Sequence, residues 1–250
     1  MDLTQIILVG LILTTGIAFQ GAVGFGTGLF AIPLMVLIGV DLPSAVCALA
    51  ATVTVQTAAG CWRYQKDIPW RETAAMTSWR YVGVPLGIFV LTLMAAGDRD
   101  RIKQVIGVVL FVVLAIQFFA KIKPRDRIRC HWTAIAGTTS GIMAGAFGIG
   151  GAPVVLWLMA HDWPARKTRA LLWSTFLLIM PLQIGLLIYA FGWQAMYAMG
   201  IGLAYSPLTV VAALGGAALG DRLNRHRLRA IASVFLVLVA LTAILGPYVY

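Results

Sequence analysis

Apolar stretches of about 17 to 25 residues recur from one end of this chain to the other, each close to the length that crosses a bilayer. Two of them are broken internally by glycine. The first break reads Gly24-Phe25-Gly26-Thr27-Gly28 with Pro33 following, and the second reads Gly145-Ala146-Phe147-Gly148-Ile149-Gly150-Gly151 closed by Pro153. A broken helix in lipid exposes backbone N–H and C=O groups at several kcal/mol each, so the break must be buried in protein or line a water-filled cavity. Paired breaks in corresponding positions of two halves are the best sequence pointer to a transporter's binding site.

Charge placement sets the topology. Only 11% of the 250 residues are charged, against roughly 25% in soluble domains. The net charge of +10 does not signal nucleic-acid binding, because Lys and Arg fall in tight groups between apolar spans. The loops Arg63 to Arg71, Lys121 to Arg129, Arg166 to Arg169 and Arg222 to Arg229 hold 15 of the 19 basic residues, and the positive-inside rule makes them cytoplasmic. The termini, the turn from Gly39 to Pro43 and the turn near Gly192 are then outside. No Lys or Arg precedes Arg63, so a cleaved signal peptide is not expected.

The expected architecture is an all-α polytopic membrane protein with two inverted repeats, each a broken or re-entrant unit plus three transmembrane helices. Residues 1–120 form the first repeat, with a broken unit at 3–38 and spans near 43–61, 74–95 and 102–120. Residues 121–250 form the second, with a broken unit at 131–160 and spans near 168–190, 194–219 and 228–248. Each broken unit begins and ends on one side, so each half makes an odd number of crossings and the halves are oppositely inserted. Small-residue pairs late in each half, Gly83-x-x-x-Gly87 and Gly216-x-x-x-Gly220, read chiefly as close helix packing.

Each break is followed by a resumed helix, Leu29 to Ile38 and Val154 to Ala160. Free N–H groups at a half-helix start carry about half a positive charge and form a ready anion site. The candidate substrate-binding residues are therefore Gly24, Gly26, Thr27, Gly28, Gly148, Gly150 and Gly151. Neutral donors in the next spans, Thr52, Gln56, Ser174 and Thr175, are secondary candidates; for the hydroxyls the competing role is a bond to the preceding helical turn. Gln20 and Gln183 are weaker ones. Arg80 lies nine residues beyond Arg71. An intramembrane charge is a functional candidate, but Tyr81 to Gly97 is nearly long enough to span alone, which favours a side chain that snorkels to the surface.

All nine acids and all three histidines lie in loops or at span ends, and the three cysteines have no metal-ligand spacing. No catalytic constellation, metal site, cofactor or phosphate-binding Gly-Lys-Ser/Thr loop is expected. That leaves an anion transporter or facilitator rather than an enzyme, with a small anion and the bilayer as partners, no nucleic acid, and oligomeric state open. The alternatives are a non-transporting subunit or assembly factor of a membrane complex, and a cation transporter.

Gly24-Phe25-Gly26-Thr27-Gly28 with Pro33, Gly148-Ile149-Gly150-Gly151-Ala152-Pro153 and the late small-residue pairs resemble the sulfite exporter TauE/SafE family of membrane permeases. The resemblance covers almost the whole chain. It implies about eight hydrophobic segments in two related halves, and export of sulfite, sulfonates or related organosulfur anions across the cytoplasmic membrane. The chain departs from the family's pattern at Thr27, Ala152 and the early Pro153.

Overall fold

Proline and glycine mark where the helices stop and start. In this computed structural model, residues 1–23, 26–97, 99–119 and 129–222 are described. They form α1 (Leu3–Val23), α2 (Thr27–Leu37), α3 (Leu42–Tyr64), α4 (Trp70–Ala95), α5 (Arg99–Phe119), α6 (Cys130–Phe147), α7 (Gly151–Met159), α8 (Ala165–Ala204) and α9 (Ser206–Arg222). A short 3-10 turn, Gln65–Asp67, follows α3. No strand occurs among the described residues. The expected last span, 228–248, and Gly24 lie outside them.

The boundaries have local causes. Gly39, at φ 90°, ends α2, and the Val40 N–H donates back to the Met35 carbonyl at 3.0 Å, a left-handed glycine cap. Two residues after Gly39, the Asp41 carboxylate accepts from the Ser44 N–H at 3.0 Å and Pro43 sits in the first turn of α3. Gly192, at φ 53° and ψ −128°, breaks α8 into two arms, 165–191 and 193–204. The second arm continues through Tyr205 into α9.

Among the described residues, four stretches are long and apolar enough to cross a membrane: Leu3–Ala22, Leu42–Asp67, Trp70–Ala95 and Arg166–Ala204, the last carrying the Gly192 break. Their outer faces present large apolar side chains, such as Val82, Leu86, Phe89 and Leu93 on α4. Exposed aromatics gather at both ends, with Trp62 and Trp70 at one and Tyr189 and Trp193 at the other, the arrangement of interfacial belts. The chain is a multi-pass membrane protein.

Side-chain contacts fix which ends lie together. At one end Arg166 bridges to Asp67 at 3.1 Å, joining the turn after α3 to the start of α8. At the other, Gln194 beyond the Gly192 break donates to the Asp41 carboxylate at 2.8 Å. Hence α3 and the first arm of α8 run antiparallel. The two short helices fold back from opposite ends. In α1–α2, Gln5 donates to the Ile38 carbonyl at 3.3 Å, so the hairpin begins and ends beside the Asp41 end. In α6–α7, the Trp157 indole N–H donates to Thr133 at 3.1 Å, so that hairpin begins and ends at the basic end. The His161 ring stacks between Trp157 and Trp163, at centroid distances of 4.0 and 4.3 Å, and anchors the end of α7 there.

Glycine sets the closest helix pairs. On α4, a Cβ at Gly83 or Gly87 would overlap backbone of α6, and one at Gly141 or Gly145 would overlap backbone of α4. On the other side of the bundle, Gly21 of α1 and Gly216 of α9 meet each other's helix in the same way. These are the close approaches that small residues allow within a bilayer. The glycines of the late pairs thus pack helices, as their spacing suggests; Gly220 lies where side chains are not described.

Candidate functional site

Both glycine breaks end at the same place. Gly26, at φ 112°, caps the start of α2, and Gly148, at φ 67°, caps the end of α6. L-residues rarely adopt either conformation. Neither α2 nor α7 has a side chain capping its first turn. The two breaks touch: a Cβ at Gly28 would overlap the Gly148 carbonyl oxygen. Glycine is needed here for contact between main chains as much as for turning. The short helices are sunk in the bundle, with Leu29, Ile32, Met35, Val154 and Leu158 all buried, so the breaks are shielded from lipid as their polarity requires.

A small cavity of about 50 Å³ opens where the breaks meet. Gly26, Thr27 and Gly28 line it from one half, Gly148, Gly150 and Gly151 from the other. Leu49, Val53, Phe176 and Met180 supply apolar wall. Arg80 completes the lining. It is 0% exposed, and none of its three guanidinium nitrogens has a hydrogen-bond partner among the described residues. Its nearest aromatic contact is the Phe176 ring, 4.5 Å from the guanidinium carbon to the ring centroid. This corrects the snorkelling expectation. α4 begins at Trp70, ten residues before Arg80, which puts the side chain about 15 Å along the helix and on its inner face.

Two glutamines that sequence ranked low also line the cavity. The Thr27 hydroxyl donates to Gln20 Oε1 and is also within 3.3 Å of the Gly16 carbonyl. The Gln183 amide N–H donates to the Ala144 carbonyl at 3.1 Å. Their signal was an amide next to a break, or facing one across the bundle, and only the three-dimensional register turns that into a position. The secondary hydroxyl candidates go elsewhere. Thr52 donates to its own helix at Ala48 and to the Gly202 carbonyl, at 2.8 and 3.1 Å. Ser174 lies 3.2 Å from Thr73, and Thr175 bonds the Leu172 carbonyl at 3.1 Å. None of the three lines the cavity, and Gln56, though buried, does not line it either. In the hydroxyls, back-bonding to the preceding turn wins because the helix always presents that acceptor.

The electrostatic balance favours negative charge. Among the described residues, one guanidinium and two open helix starts face the cavity, and no Asp or Glu lines it. Two nearby carbonyls accept hydrogen bonds: Ala144 O receives Gln183 and the Gly148 N–H, and Gly150 O receives the Ser140 hydroxyl at 2.6 Å. Among the described residues no cluster of three or more His, Cys, Asp or Glu could hold a metal ion.

Comparison with known protein families matches residues 6–243 to the sulfite exporter TauE/SafE family. The chain belongs to this family. TauE/SafE proteins are membrane transporters of sulfur-containing anions, and a cavity lined with donors and a buried cation is in keeping with that membership. No curated protein and no solved structure matches the chain.

Proposed function

We propose that this TauE/SafE protein exports a small sulfur-containing oxyanion, sulfite or a sulfonate, through the central cavity. The anion is held by the open amides of Gly26 to Gly28 and of Gly150 and Gly151, and by the Arg80 guanidinium, with Gln20 and Gln183 as added polar contacts. The observation that carries this reading is Arg80: wholly buried, unpartnered, and on the wall shared by both helix starts. A buried cation without a partner is strongly disfavoured, and an anion in the cavity supplies the missing charge. The same arrangement weighs against a cation transporter, because a guanidinium lines the cavity and, among the described residues, no Asp or Glu does.

Two oppositely inserted repeats, 1–120 and 121–250, account for the architecture. In support, the α1–α2 and α6–α7 hairpins enter from opposite ends, α1 packs on α9 as α6 packs on α4, and α3 and α8 pair antiparallel across the middle. The Asp67–Arg166 end is then cytoplasmic. An inside-negative potential of 100 mV favours exit of each negative charge by about 2.3 kcal/mol, so export needs no coupling ion.

Purified protein in liposomes should carry sulfite or methanesulfonate flux that follows an imposed potential. Gly26→Val and Gly150→Val should reduce that flux to background, since each fills the anion's place, the first at a left-handed φ of 112° and the second against the Ser140 carbonyl. Absence of flux for any sulfur oxyanion, or wild-type flux in both variants, would overturn the proposal.

A further inference from the structure

The cavity has a second polar layer beside it, and its members come one from each of three helices. On α3, Leu49 and Val53 line the cavity while Gly60 lies under the Trp173 ring; Gln56 falls on the same face between them. On α4, Arg80 lines the cavity and Thr73 meets Ser174; Thr77 falls between them. On α8, Phe176 lines the cavity, and Trp173 is one turn nearer the basic end. Helical spacing of three or four residues keeps each set on one face. In all three helices the residue one turn from the cavity, toward the basic end, is Gln56, Thr77 or Trp173.

Each carries a buried polar atom with no hydrogen-bond partner: both amide atoms of Gln56, the Thr77 hydroxyl and the Trp173 indole nitrogen. Buried polar side chains are normally satisfied, and several others near the cavity are. Ser44 receives Gln194, Thr52 reaches Gly202, and Thr209 reaches Ser206. Apart from Arg80 and the Gln183 Oε1 in the cavity wall itself, the unsatisfied side-chain atoms among the described residues lie one turn from the cavity toward the basic end. They offer three kinds of neutral donor, an amide N–H, a hydroxyl and an indole N–H.

We infer that Gln56, Thr77 and Trp173 form a second anion-binding station, through which the substrate passes between the basic end and the central cavity. It takes a small oxyanion by hydrogen bonds alone, with no cation of its own, and so holds the anion more weakly than the Arg80 site. The Trp173 ring seated on Gly60 closes this station toward the basic end. A side chain at position 60 would collide with the indole, so the seal depends on glycine. The inference rests on the transport reading above.

The test uses the full chain in liposomes, with sulfite as the probe. Trp173→Phe keeps the ring and removes the N–H; Thr77→Val and Gln56→Leu remove the other donors at similar volume. Each should slow maximal sulfite efflux roughly tenfold to a hundredfold, the scale of one lost hydrogen bond to a charged group. Equilibrium sulfite binding at the Arg80 site should stay near wild type. As a readout that packing alone would not move, Thr77→Cys in a background with Cys47, Cys61 and Cys130 replaced by Ala should react with an impermeant thiol reagent added on the basic side. Sulfite should slow that reaction. Wild-type efflux in all three donor variants, or labelling only from the opposite side, would overturn the station while leaving the central site standing. Absence of sulfite flux in wild-type protein, with no protection of Thr77→Cys by sulfite, would overturn both readings.

Discussion

Arg80 is held in place by shape and by one aromatic face, since nothing among the described residues hydrogen-bonds its guanidinium. Its contribution to anion binding should therefore be large and specific in geometry. Arg80→Ala should abolish detectable sulfite binding. Arg80→Lys should keep the charge yet lose the planar fork, lowering affinity roughly tenfold, because Lys presents a point charge with fewer fixed donors. Titration calorimetry on purified protein distinguishes the two; equal affinity in both variants would show that Arg80 does not touch the ligand. At this scale the sequence was only partly readable. Gly26, Gly28, Gly148 and Gly150 stand out as helix breakers wherever they occur, so their place at the breaks could be reasoned from residue chemistry. Arg80 could not be placed, because its depth depends on where α4 begins, and Trp70 starts that helix early enough to bury it. Thr52, Ser174 and Thr175 misled for a different reason. A hydroxyl on a helix has an acceptor one turn back, and pattern alone does not tell which bond it takes.

At the level of elements, the bundle is assembled through glycine on backbone. α4 and α6 interdigitate at Gly83, Gly87, Gly141 and Gly145, so neither helix can back away from an added side chain without parting from the other. Gly87→Leu should lower the thermal midpoint of the detergent-solubilised protein by several degrees. Overpacking of a tight interface commonly costs about 1 to 3 kcal/mol. Gly185→Leu is the control: a Cβ there meets nothing within 4 Å, and the midpoint should hold. An equal effect of the two substitutions would mean that the α4–α6 contact does not limit stability. The helical, membrane-crossing nature of these elements was legible, because length and hydropathy alone demand it. Partner choice was not. The pairing of α1 with α9 and of α4 with α6 joins segments far apart in sequence, and glycine spacing marks a close approach without naming its other side.

For the molecule as a whole, charge and glycine speak to different things. The basic loops bear on sidedness, and the Asp67–Arg166 bridge gathers two of them at one end. Single cysteines at Lys66 and Gly39 should label from opposite sides of right-side-out vesicles, Gly39→Cys from outside and Lys66→Cys only after permeabilisation. Labelling of both from one side would reverse or collapse the proposed topology. Family membership and a chamber shared by the two breaks were legible from the break motifs, whereas the other side chains lining that chamber were not. It exists only because two hairpins that enter from opposite ends stop at the same depth. There Gly28 abuts the Gly148 carbonyl with no side chain between them. That junction has little slack. A tilt of either hairpin has to be taken up by the other, because no side chain lies between the two backbones to absorb it.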